Sequence, residues 1–85
     1  INKVNNKLSK VYNKSKFIKI KKQNSLISTK DVINTNKCII SVCKSRYKDK
    51  AIILSAIDNL IKGGAGQAIQ NMNILYNFNV KDGLR

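Results

Sequence analysis

Three glycines, Gly63, Gly64 and Gly66, interrupt the stretch Ser55–Asn73, SAIDNLIKGGAGQAIQNMN, which otherwise carries the spacing of an amphipathic helix. A helical Gly costs about 1 kcal/mol relative to Ala, so the three forgo roughly 3 kcal/mol of local helix stability. Bare backbone is what such positions offer. N–H groups near a helix start or a Gly-rich turn can meet an anion or a carbonyl-rich ligand at short range, and Ser55 and Asp58 are candidate N-caps. Asn59, Gly63, Gly66, Gln70 and Asn73 fall on one stripe, a face of amides and absent side chains. Ile57, Ile61, Ala65, Ala68, Met72 and Leu75 form the opposite stripe, which is expected to face a core. A helix packed closely on another element, with glycines as crossing points, fits the same pattern. Periodicity alone leaves both readings open.

Other reactive groups are few. Cys38 and Cys43 lie on opposite faces of one expected strand, a poor geometry for a disulfide between them, and the chain has no His. Two thiols fall short of the four ligands a zinc site needs, so no metal site is expected. Unpaired thiols suit a reducing compartment. No apolar run approaches the length of a membrane span, and the Lys/Asn-rich start lacks a signal-peptide core, so a soluble, cytoplasmic protein is expected.

The 85 residues suffice for one small domain at most, and a first residue of Ile reads as a piece of something longer. Residues 1–50 carry 14 Lys or Arg against Asp31 and Asp49, whereas residues 51–85 are close to neutral. So basic a half could steer the chain onto nucleic acid, with Tyr12, Phe17 and Tyr47 stacking on bases. However, Lys, Asn and Ile make up 40 of the 85 residues, the bias of coding sequence drifted toward A and T, which raises charge without a ligand. No known RNA-binding or finger spacing is present.

The elements follow from pattern. Residues 3–14 read as a surface helix on Val4, Leu8 and Val11, and 16–22 as a half-exposed strand. A polar loop over 23–36 holds a short turn at 28–32. Strands at 38–43 and 51–56 form a hairpin, and the unbroken AIILSA of the latter implies cover on both faces. Three strands and one good helix supply only one such layer, so another must come from elsewhere. A helix over 57–76 and a loop over 77–85 complete the chain.

The run Ala56–Asn73, with Gly83-Leu84 near the end, closely resembles the C-terminal signature of the N-acetyl-gamma-glutamyl-phosphate reductases. Phe17-Ile18-Lys19-Ile20 resembles that family's strand before its substrate loop. Ser28-Thr29-Lys30-Asp31-Val32, then Thr35-Asn36 and Cys38, resembles the loop and the strand after it. The similarity runs in order over residues 8–84.

The resemblance implies an α/β protein: the end of an α+β catalytic and dimerisation domain (1–56), a long C-terminal helix returning to a Rossmann-type NADP-binding domain (57–76), and a C-terminal loop (77–85). It implies an oxidoreductase of arginine biosynthesis that reduces N-acetyl-glutamyl phosphate with NADPH. A Cys thiolate takes the acyl group, a His handles protons, and the enzyme is a homo-oligomer, dimer or tetramer. It places Asn59, Gly63, Gly64 and Gly66 beside the nicotinamide and its ribose-phosphate. The catalytic Cys of the family sits in an Asn-Pro-Gly-Cys setting, and this chain has no Pro, so no catalytic residue is expected here and the piece alone is expected to be inactive. Ile33, Asn34 and Lys37 stand where the family usually has Arg, Gly and an aromatic residue, and Ile27 replaces a Pro. The alternatives are a small basic nucleic-acid-binding module and a decayed, non-catalytic dimerisation fragment.

Overall fold

The computed structural model describes residues 2–85. The spacing of Val4, Leu8 and Val11 gives helix α1, Asn2–Tyr12, which packs on the first two strands with Leu8 half-buried and Val4 and Val11 exposed. The alternating Ile18 and Ile20 form the short strand β1, Ile18–Ile20. The polar loop that follows holds one 3-10 turn, Thr29–Asp31, closed by a capping box: Ser28 Oγ accepts from Lys30 N and Asp31 Oδ2 accepts from Ser28 N.

Strands β2, Cys38–Lys44, and β3, Ala51–Ile57, form the expected hairpin in antiparallel register, with Ser41 opposite Leu54. β1 pairs with β2 in parallel, Ile18 opposite Cys38, so the sheet order is β1-β2-β3 with β2 central. Centrality explains the burial. Ile39, Ser41 and Val42 are buried, and with Phe17 and Val32 they make up a small core. On one face of β2, Ser41 Oγ donates to Ser25 O at 2.7 Å, so the polar 21–27 segment covers that side.

β3 departs from its expected environment. Ile52 and Ile53, on opposite faces, remain 46% and 57% exposed, because α1 lies over β1 and β2 and, among the described residues, no comparable layer reaches β3. The cover that AIILSA implies is not supplied by the described residues. Shape tells the same story. The radius of gyration is 14.3 Å, against about 12 Å for a compact domain of this length, and the body measures 45 × 24 × 15 Å.

The expected helix over 57–76 is shorter and begins differently. Ile57 completes β3, Asp58–Leu60 turns, Ile61–Ala65 form a single π turn kinked at Gly64, and helix α2 runs Gly66–Leu75. Ser55 therefore sits in a strand and caps nothing. Asp58 does cap, its Oδ1 accepting from Leu60 N at 2.9 Å. The orientation of α2 is also opposite to expectation. Gly66 and Asn73 are buried, whereas Met72 and Leu75 of the apolar stripe are 45% and 75% exposed. Hydrogen bonding decides this: within the chain, α2 lies against Asn36 and the 78–85 tail, which offer amide and carbonyl partners that only the amide face can use. Asn73 Nδ2 donates to Val80 O at 3.2 Å and to Asp82 O at 3.0 Å, and Asn36 N donates to Arg85 O at 3.0 Å.

Candidate functional site: the turn between β3 and α2

At the end of β3 the chain must reverse into α2, and Asp58 organises the reversal. Its main-chain oxygen accepts from Ile61 N and Gly63 N, the latter one residue longer than an α-helical bond. Ala65 N reaches Leu60 O in the same way, so the backbone widens into a π turn, a device that often marks functional sites. The wide turn brings Asn59 against the glycines. A Cβ on Gly63 would stand 2.8 Å from Asn59 Oδ1, and one on Gly64 would stand 3.4 Å from Asn59 O.

Of the four residues singled out from sequence, three are therefore together: Asn59, Gly63 and Gly64, all exposed on one turn. Gly66 is not with them. It is buried, and a Cβ there would meet Ile61 O at 2.5 Å, Asn36 Oδ1 at 2.6 Å and Ile61 Cγ2 at 2.7 Å. Its bare backbone is used by packing, because Gly66 N donates to Ile61 O across the π turn and Asn36 closes over its other side.

Asn59 borders a cleft of about 400 Å³ whose walls come from two segments: Ile57, Asp58, Asn59 and Leu60 on one side, Thr29, Ile33 and Asn34 on the other. Its lining is mostly apolar with amides at the rim, which suits a flat ring carrying a polar group. Asn34 adopts the left-handed conformation, φ 61°, where the resembling family usually has Gly. Asn is the non-Gly residue that tolerates this conformation best, so the departure keeps the loop geometry. Asp58 Oδ2 accepts from Asn34 N at 2.8 Å. The Asn34 bond, then that from Leu60, holds the Asp58 carboxyl below its ordinary value of 3.8, with burial pulling the other way and Ile61 adding to the lowering.

Behind the turn lies a polar chain that sequence reading did not single out as a unit. Lys62 Nζ and Asn36 Nδ2 both donate to Gln70 Oε1, each at 2.8 Å. Lys62 thereby fixes the amide orientations: Gln70 must present oxygen to the ammonium, so Asn36 must present nitrogen to Gln70. That leaves the buried Asn36 Oδ1 without a hydrogen-bond partner, lying over Gly66. Lys62 also sits 5.3 Å from the centre of the Phe17 ring. Burial lowers its pKa, while the nearby Cys38 acts in the opposite direction. The only forewarning in sequence was Gln70 on the amide stripe.

Of the remaining reactive groups, Cys38 pairs with Ile57 at the edge of this turn, and Cys43 lies farther along β2. Cys38 and Cys43 are free and half-buried on β2, and Cys43 Sγ faces Ser25 O at 3.7 Å. Among the described residues no three His, Cys, Asp or Glu side chains cluster as metal ligands, and no helix is long and apolar enough to cross a membrane. The aromatic trio considered for base stacking is not available as one. Phe17 is in the core under Lys62, and Tyr47 has the Lys50 ammonium 5.2 Å from its ring centre.

Comparison with known proteins identifies relatives of the chain. The chain is 49% identical over 73 residues to the N-acetyl-gamma-glutamyl-phosphate reductase of Oceanobacillus iheyensis, covering 86% of this chain and 21% of the relative. It is 49% identical over 82 residues to that of Karelsulcia muelleri, covering 96% and 24%. It is 43% identical over 84 residues to that of Clostridium botulinum, covering 99% and 24%. The chain thus spans about a quarter or less of the length of the curated relatives it matches. Residues 1–59, from α1 through the hairpin to Asn59, match the family described as semialdehyde dehydrogenase, dimerisation domain, and the chain belongs to that family.

Proposed function

We propose that this chain is the C-terminal part of an NADP-dependent reductase that converts N-acetyl-glutamyl phosphate to N-acetylglutamate semialdehyde in arginine biosynthesis, acting in the cytoplasm. The observation that carries the reading is the turn at Asn59–Gly64: a side-chain amide at the rim of an apolar cleft, with two bare glycines beside that amide on the same turn, in a chain closely similar to enzymes of that name. These residues fit one end of a nicotinamide dinucleotide. Ile57, Ile33 and Leu60 offer apolar walls to a flat ring, the Asn59 amide can exchange hydrogen bonds with a carboxamide, and Gly63 and Gly64 let the ligand approach the backbone. When bound, the cofactor supplies a hydride. The chain's own part is to hold the ring, keep water from its faces and orient the substrate loop. No nucleophile or proton-transfer group is assigned to it, and the 85 residues alone are proposed to be inactive.

Residues 1–56 close the catalytic and dimerisation body of a homo-oligomer, dimer or tetramer. Residues 57–76 return to the cofactor domain, and 77–85 pin α2 from behind. The exposed stripe of Ile69, Met72 and Leu75 supports this arrangement, since so contiguous an apolar face calls for cover. A chimera in which this chain replaces the matching segment of the Clostridium botulinum relative tests the function. NADPH-dependent reduction of N-acetyl-glutamyl phosphate is expected, and a folded chimera without turnover would refute the reading.

A further inference from the structure

The loop over residues 29–35 and the turn over 59–64 are distant in sequence, yet Thr29, Ile33 and Asn34 of the loop face Asn59 and Leu60 at the head of the turn, with Ile57 and Asp58 before them, across one cleft. Each is anchored separately. The loop is held at its start by the Ser28–Asp31 capping box, in its middle by the buried Val32, and at its end by Thr35 Oγ1 donating to Val32 O at 2.6 Å. The turn hangs from the end of β3. Among the described residues, one side chain hydrogen-bonds to both. Asp58 Oδ2 accepts from Asn34 N at 2.8 Å and Oδ1 accepts from Leu60 N at 2.9 Å, so a single carboxylate holds one backbone N–H from each wall.

Both oxygens thereby hold protein backbone, which gives this carboxylate a structural task at the cleft. We propose that Asp58 is a positioning residue that ties the 29–35 loop to the 59–64 turn, so that the two walls order together and binding at one favours binding at the other. This rests on the reductase reading for its ligands, acyl phosphate along the loop and NADPH along the turn. The physical consequence is a coupling. A ligand that orders one wall lowers the cost of ordering the other, and the effect is reciprocal between the two ligands.

Two measurements test it. In the 85-residue chain, Asp58→Ala is expected to speed hydrogen exchange at the Asn34 and Leu60 amides together by about 10-fold or more, the loss of a charge-assisted bond at each, while the Ile39 and Val42 amides are unchanged. Faster exchange at Leu60 with Asn34 unchanged would mean a local cap and would overturn the tie. Should Asp58→Ala loosen β2 as well, Asp58→Asn decides: faster exchange at Asn34 upholds the tie, and an unchanged Asn34 overturns it. In the active chimera, Asp58→Ala is expected to raise the KM values for both substrates about 10-fold while kcat stays within about twofold, with Asp58→Asn intermediate. A fall in kcat at unchanged KM values would mean simple loss of folded enzyme and would overturn the coupling. An inactive wild-type chimera would remove the reductase reading instead, and the exchange data would still decide the tie.

Discussion

Replacing Gly66 by Ala separates the packing glycine from the ligand-facing ones. Elsewhere in a helix the change adds up to about 1 kcal/mol of stability through propensity. Here the new methyl would meet three atoms below 3.0 Å, of which Ile61 O is backbone and Asn36 Oδ1 belongs to a fully buried amide held by Gln70. The Ile61 carbonyl also accepts the Gly66 N–H, so it cannot retreat without losing that bond. Overpacking of this kind costs about 1–3 kcal/mol and the lost bond about 1 kcal/mol, which after the propensity gain leaves a net destabilisation of about 1–3 kcal/mol. Gly63→Ala meets only the Asn59 amide below 3.0 Å, a side chain free to swing, so its stability is expected to stay within about 0.5 kcal/mol of the parent. Urea denaturation of the active chimera, followed by circular dichroism and paired with NADPH KM, reads both quantities. Gly66→Ala should lower the midpoint and leave KM unchanged, and Gly63→Ala should raise KM and leave the midpoint unchanged. A Gly66→Ala protein as stable as the parent would refute the packing argument.

Three further outcomes follow. Asn34→Ala should cost about 1 kcal/mol, the penalty of a left-handed residue without a short polar side chain, whereas Asn34→Gly should be close to neutral by the same denaturation assay. Asn73→Leu should cost about 2–4 kcal/mol, since it strands the Val80 and Asp82 carbonyls and removes two bonds from a buried amide, and it should release the tail to proteolysis. Asp58 has a folded-state pKa below its unfolded value, so its stabilising effect is complete above the ordinary carboxylate value of 3.8 and is lost as pH falls through the depressed folded value. The Asn34 amide resonance should therefore hold its position down to that ordinary value and move only below it.

The sheet was legible because its signals are local. Ile18 and Ile20 alternate with lysines, and the hairpin's two apolar runs are parted by the polar KSRYKDK, so strand positions and the antiparallel pair follow from the residues. The C-terminal segment was read less well for a physical reason. Its apolar stripe correctly predicts a helix, but periodicity cannot say which face finds a partner within the chain, and here Asn36 and the tail carbonyls engage the amides and leave Met72 and Leu75 outward. Nor can it register a π turn, which shifts the phase of every side chain after Ala65 and moves Gly66 away from Gly63 and Gly64. The tie between Asp58 and Asn34 spans 24 residues and became visible only once the fold brought them together.

The account turns on whether a dinucleotide lies against the Asn59–Gly64 turn. The chain has only four glycines, so a chimera labelled with nitrogen-15 glycine in this segment alone gives a readable amide spectrum. On addition of NADP⁺ the Gly63 and Gly64 resonances are expected to shift while Gly83, in the tail, stays in place. Unmoved Gly63 and Gly64 signals at saturating cofactor would contradict the account.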